Sequence, residues 1–140
     1  MIKFFIYGTP LREKGTSAVL LLFRVFAGIL LMSHGWAKIE NFGTFSQGFP
    51  DPIGIGSQFS LILAIGAEFG ASLFLVLGLL TRLALLPIMF TMGVAFFVIH
   101  GADPFAVKEL ALLYLGIFTA LLLLGPGDYS LDKLLFKNKQ

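Results

Sequence analysis

Seven ionisable residues sit in or beside long apolar runs of this sequence: Arg24, His34, Lys38, Glu68, His100, Lys108 and Glu109. Glu68 raises the sharpest question, because it stands near the middle of LILAIGAEFGASLFLVLGLLTR, Leu61 to Arg82. A charged side chain at the centre of a hydrocarbon layer costs about 2.5–3.5 kcal/mol on insertion scales. Glu68 must therefore be neutral or paired with a cation from another segment, and Arg24 is the nearest candidate by height, with Lys38 and His34 approaching from the other side. Glu68 with Arg24 could serve as a proton relay, Glu109 is a second group able to exchange protons, and His34 or Lys38 could bond a ligand carbonyl. We take Glu68 and His34 as the candidate catalytic pair, and Arg24, His34, Lys38, Glu68, His100, Lys108 and Glu109 as the candidate binding set. The plainer alternative for Glu68 and Arg24 is an ion pair that fixes helix register. For the histidines it is an interfacial position bonded to backbone or water. Lys108 and Glu109 are adjacent and point about 100° apart on a helix, and a glutamate near a helix start suits the macrodipole. His34 and His100, both facing one half of the bundle, could also ligate a metal or bracket a haem, although the lack of Cys-x-x-Cys-His excludes covalent haem and no His-x-x-x-His pair supports a zinc enzyme.

The elements that position these residues follow from composition. Apolar residues make up 57% of the 140-residue chain and charged residues only 13%. A soluble domain this small has too little interior to hide so much apolar surface, so the natural solvent is lipid. The net charge of +2 is spread over tails and loops, which fits membrane topology and not nucleic acid. Cysteine is absent, which removes disulfides, thiolate nucleophiles and iron–sulfur ligation. The N-terminal MIKFFIYGTPLREKGTS lacks the apolar length and cleavage site of a signal peptide, so the first hydrophobic helix is expected to act as an uncleaved insertion signal.

Four segments read as transmembrane helices: Ser17 to Trp36, Ser57 to Leu80, Leu83 to Ile99 and Val107 to Leu124. Thr16 or Ser17 is the expected N-cap of the first. Pro87 falls in the first turns of the third. Thr81-Arg82 and Gly101-Ala102-Asp103-Pro104 read as tight turns, and KIENFGTFSQGFPDPIGIG as either a lid over the bundle or a plain interfacial loop. Gly125-Pro126-Gly127 stops the last span, and LDKLLFK reads as a short helix on the membrane surface. The fold class is thus all-α, one four-helix membrane bundle over residues 1–140. Lys3, Arg12, Lys14, Arg82, Lys133, Lys137 and Lys139 lie on one side, against Lys38 and Lys108 on the other, which predicts both termini in the cytoplasm.

That topology gathers His34, Lys38, Glu68, His100, Lys108 and Glu109 in the outer half of the bundle. Helical spacing puts Arg24, Gly28, Leu31, Gly35 and Lys38 on one stripe, and Ala64, Glu68, Ala71, Leu75 and Gly78 on another. Gly28, Gly35, Gly70, Gly93 and Gly116 read as packing residues, with Gly66 to Gly70 forming a Gly-x-x-x-Gly pattern beside Glu68.

With RVFAGILLMSHGWAKI, GAEFGASLFLVLGLLTR, His100, KELALLYL and GPGDYSLD in view, the sequence resembles the DoxX family of small four-span membrane proteins, from about Arg24 to Asp132. The resemblance implies residence in a bacterial or archaeal cytoplasmic membrane and a link to quinone or quinol redox systems. A first reading built on that link has a quinone headgroup enter the outer half of the bundle and meet the residues above, with electrons supplied by a redox partner protein. A homo-oligomer is compatible with it. Two other functions fit the same residues: a carrier or channel for a small solute, and a non-catalytic assembly subunit.

Overall fold

Backbone polar groups in hydrocarbon must bond within their own segment, and the apolar runs of this chain obey that rule as helices. A computed structural model describes residues 14–136. The expectations for the N-terminal tail, and for Lys3, Arg12, Lys137 and Lys139, lie outside the described residues. Among the described residues, four helices are long and apolar enough to cross a membrane: α1 (Lys14–Glu40), α2 (Ser57–Leu77), α3 (Thr81–Ile99) and α4 (Phe105–Leu124). At a rise of about 1.5 Å per residue, even the shortest spans roughly the 30 Å hydrocarbon layer. A single helical turn, Phe42–Phe45, follows α1, and a short helix α5 (Leu131–Phe136) follows α4. The protein is an all-α membrane helical bundle.

The core runs along the bundle axis. Leu20, Ala27 and Leu31 of α1 meet Leu75 of α2, Leu85, Ile88 and Met92 of α3, and Tyr114, Phe118 and Leu121 of α4. Side chains such as Leu22, Phe26, Phe97 and Leu123 point outward and stay exposed, as a lipid-facing surface requires. Of the expected packing glycines, two make close approaches. A Cβ on Gly35 would lie 2.7 Å from the Phe69 amide nitrogen, and one on Gly28 2.6 Å from a Val76 methyl carbon. Gly66, Gly70, Gly93 and Gly116 have nothing within 4 Å of that position, so the Gly-x-x-x-Gly pattern is not a helix contact. It forms instead a π-helical turn, Gly66–Ala71, that carries Glu68. Such turns insert a residue into a helix and are frequent at functional sites. A second one, Ala95–Ile99, ends α3 beside His100.

Several boundaries differ from expectation. Helix α1 continues to Glu40, one turn beyond Trp36. Ser17 is not an N-cap; it lies inside α1, and its hydroxyl donates to Asp128 Oδ2 at 3.1 Å. The α2–α3 turn sits at Gly78–Leu80, not at Thr81-Arg82. Gly78, at φ 70°, closes α2 with bonds from Gly78 N to Leu75 O and from Leu79 N to Phe74 O. Helix α3 starts at Thr81, so Pro87 is inside it.

The end of the bundle that holds α5 is locked by Asp132, which is 3% exposed. Its carboxylate accepts from Leu80 N at 2.6 Å and Thr81 N at 2.9 Å, and so caps α3. That bond also holds Leu80 in a left-handed conformation (φ 48°) that a branched residue seldom adopts. Arg82 is buried; its Nε donates to Leu122 O at 2.9 Å, satisfying the last carbonyls of α4. This is more than an orientation signal. Helix α5 therefore docks through its first turn, while Leu134 and Leu135 remain exposed.

Candidate functional site

Helix α1 presents Leu31, His34, Gly35 and Lys38 along one side by its 3.6-residue period. Gly35 lets the backbone of α1 approach Phe69 and Glu68, and the π turn directs Glu68 to meet Lys38. Lys38 Nζ donates to Glu68 Oε2 at 2.6 Å. The side chains are 20% and 8% exposed, so the pair is largely withdrawn from its surroundings. The pairing answers how a carboxylate is accommodated in an apolar span: a cation from α1 neutralises it.

The cation is not Arg24. Arg24 lies ten residues along α2 from Glu68, at the level of Gly78, about 15 Å away by helical rise. Its guanidinium is buried and committed to Pro126 O and, at 2.7 Å, to Tyr129 O. Asp132 is the negative charge near both Arg24 and Arg82. The sequence spacing put Arg24 and Lys38 on one stripe correctly, but a stripe runs the whole length of a helix.

Above the Lys38–Glu68 pair lies a cavity of about 510 Å³. His34, Lys38, Glu68 and His100 line it, and so does Tyr114. Most of the remaining wall is apolar, including Leu31, Ala64, Ala67, Met92 and Ile99. The His34 and Tyr114 rings meet edge to face at 6.2 Å, and Tyr114 stacks on Phe118 at 5.6 Å. His100 Nδ1 lies 2.7 Å from Asp103 Oδ2, which orients the ring beside the cavity.

Lys108 and Glu109 do not join this wall. Lys108 Nζ donates to Gly101 O at 2.9 Å and lies 5.2 Å from the centre of the Phe96 ring, so it caps the α3–α4 turn. Glu109 is exposed on the second turn of α4. Tyr114, by contrast, was hidden in KELALLYL. A hydroxyl in the middle of an apolar span was the available signal, because buried tyrosines seek a polar partner.

The connection after α1 is a lid. Phe49, Pro50, Pro52 and Ile53 line the cavity at its loop end. Asp51 shapes it: the carboxylate accepts from Ile55 N at 3.0 Å and Gly56 N at 2.8 Å of the same connection, and from Ser60 Oγ at 2.8 Å in the first turn of α2. The Gly56 amide and then the Ser60 hydroxyl hold this carboxyl below the usual carboxylate range. Among the described residues, no three histidine, cysteine, aspartate or glutamate side chains converge as metal ligands. An apolar chamber with a few convergent polar groups is the usual form of a small-molecule site.

Comparison with known proteins places this architecture. The family model described as DoxX matches residues 19–101. That range holds the lid, Lys38, Glu68 and His100, but ends before Lys108 to Leu115 and Gly125 to Asp132. The inner membrane protein YqjF of Escherichia coli is 36% identical over 122 residues, covering 84% of this chain and 92% of that protein. An uncharacterized protein of Haemophilus influenzae is 32% identical over 132 residues, covering 89% of this chain and 96% of its own. A second Haemophilus influenzae protein is 28% identical over 131 residues. No solved structure matches the chain.

Proposed function

The chain belongs to the DoxX family and is a multi-pass protein of the bacterial inner membrane, and from that premise we propose that it is the membrane subunit of a quinone-linked oxidoreductase system, with its cavity as the quinone or quinol site. The observation that carries this reading is the shielded Lys38–Glu68 pair in the wall of an otherwise apolar chamber. A quinone ring is flat and apolar apart from two carbonyl acceptors, so it needs slippery walls and a few donors. Lys38 keeps two of its three N–H donors beyond the bond to Glu68 and offers one to a carbonyl oxygen. His34 and Tyr114, together on the same wall, offer donors as well. Glu68 exchanges protons with that oxygen, its charge buffered by Lys38.

Reduction of a quinone to a quinol takes two electrons and two protons. The residues here move the protons, and a partner redox protein supplies the electrons, in keeping with a chain that has no cysteine to ligate an iron–sulfur cluster. The lysine and arginine bias favours cytoplasmic termini, which puts the cavity in the outer half of the membrane. The fastened lid weighs against an open solute channel.

The test is quinone content. Protein extracted gently from the membrane should retain quinone, and Glu68→Gln should weaken its binding at least about 10-fold, or ~1.4 kcal/mol. Unchanged affinity in that variant removes Glu68 from the site. Absence of quinone binding by the unaltered protein overturns the reading.

A further inference from the structure

We infer that the cavity is loaded from the bilayer, sideways between α2 and α3, and that its ligand therefore carries a long apolar chain behind a compact polar ring. The inference rests on the quinone reading and adds to it the route and the tail.

Four observations lead here. The loop end is walled by Phe49, Pro50, Pro52 and Ile53 of the connection, which Asp51 holds to Ser60 in the first turn of α2. The side is not closed in the same way. The first part of α2, Ser57–Ile65, packs chiefly on α1 and the Phe42–Phe45 turn, while the part from Gly66 to Leu77 also packs on α3. Helices α2 and α3 thus separate toward the loop end. Within α3, Pro87 removes a helical hydrogen bond and the π turn Ala95–Ile99 changes the winding, both recognised causes of a helix leaving a straight path.

Leu63 of α2 and Phe90 of α3 mark the opening. Both line the cavity, yet they are 57% and 64% exposed; Ile53, Val107 and Leu110 share that character at 54%, 54% and 49%, and Leu63 and Phe90 are the two that stand on the helices whose packing parts. A residue that is wall and outer surface at once stands on a rim. Leu63 is the seventh residue of α2, about 9 Å along the helix, and Phe90 is about 14 Å from the loop end of α3. The rim therefore opens onto hydrocarbon and not onto the headgroups. Lys38 and Glu68 line the same chamber as this rim, and so do Ala64 and Ala67, whose small side chains take little of its space. A ring that enters this way leaves its tail in the slot, where lipid would otherwise sit.

Two probes separate the route from the site: a benzoquinone with a ten-carbon tail, and the same ring without it. Their Kd values are measured on the full chain in lipid nanodiscs, with empty nanodiscs as the baseline. Leu63→Trp fills the slot from one rim. Since the chain has no cysteine, Phe90→Cys carries a bulky maleimide at the other. Leu22→Trp, at an exposed position of α1 away from the cavity, controls for a bulky lipid-facing residue. The inference expects both rim changes to raise the Kd of the tailed probe at least about 10-fold and that of the bare ring less than about 2-fold, with Leu22→Trp changing neither. If the rim changes leave the tailed probe unaffected, or weaken both probes equally, the route is wrong while the site stands. Failure of both probes to bind the unaltered protein overturns the quinone reading, and the route with it.

Discussion

Lys38 donates to Glu68 across 2.6 Å, and Gly35, one turn earlier on α1, touches the backbone of Phe69, the next residue after Glu68. The ion pair and the close helix approach are one construction. The approach sets the two helices side by side where the pair forms; without the lysine, the carboxylate stands uncompensated in a largely apolar wall.

Removing one partner should therefore cost more than removing both. Lys38→Met leaves a buried carboxylate and should destabilise the protein by about 3 kcal/mol, the lower end for breaking a buried pair because the lysine is 20% exposed. The double variant Lys38→Met/Glu68→Gln should recover most of that. A double-mutant cycle on thermal unfolding checks the coupling, and additive single effects would show that the pair contributes no coupling.

Gly35→Ala should destabilise by about 1–3 kcal/mol, because the new Cβ meets backbone that cannot rotate away. Gly70→Ala, in open space, should be neutral or slightly stabilising by helix propensity, up to about 1 kcal/mol. Thermal midpoints of the two variants report the contrast. Equal effects would mean that the α1–α2 approach is not what Gly35 provides.

Asp132 is predicted to matter for folding and not for the cavity. It satisfies two amides of α3 and is the negative charge near two buried arginines. Asp132→Ala should cost about 3 kcal/mol or more, with Asp132→Asn milder since it keeps one acceptor. In the fraction that remains folded, quinone affinity should be unchanged. A selective loss of binding in Asp132→Asn would contradict this division.

The lid should loosen in acid. The folded pKa of Asp51 is depressed, so its bonds are fully present above the ordinary carboxylate range of about 4 and are lost as pH falls through the lower folded value. Hydrogen-exchange protection factors at the Ile55 and Gly56 amides should fall over that acid range. Asp51→Asn should show low protection at every pH. A pH-independent protection in the unaltered protein would mean that the carboxylate does not hold the lid.

The sequence disclosed what depends on local order and hid what depends on distant encounters. Four spans, and the grouping of His34, Lys38, Glu68 and His100 toward one end, follow from hydrophobic length and helical period. Whether Arg24 or Lys38 met Glu68 depended on the relative heights of two antiparallel helices, which periodicity leaves free. The role of Asp132 was invisible for the same reason: its partners Leu80 and Thr81 lie some fifty residues away. The glycines of Gly66 to Gly70 misled, since one pattern serves close packing in some helices and a π turn in this one. Lys108 and Glu109 sat at the right end but on faces set by the α3–α4 turn.

The central claim is that Lys38 and Glu68 form the polar end of a quinone site. Infrared difference spectra of the protein with and without bound quinone test it most directly. The account predicts a downshifted quinone carbonyl band, from the hydrogen bond donated by Lys38, together with a carboxylate change from Glu68. The first should vanish in Lys38→Met and the second in Glu68→Gln. A quinone carbonyl band identical to that in lipid alone, with no carboxylate change, would contradict it.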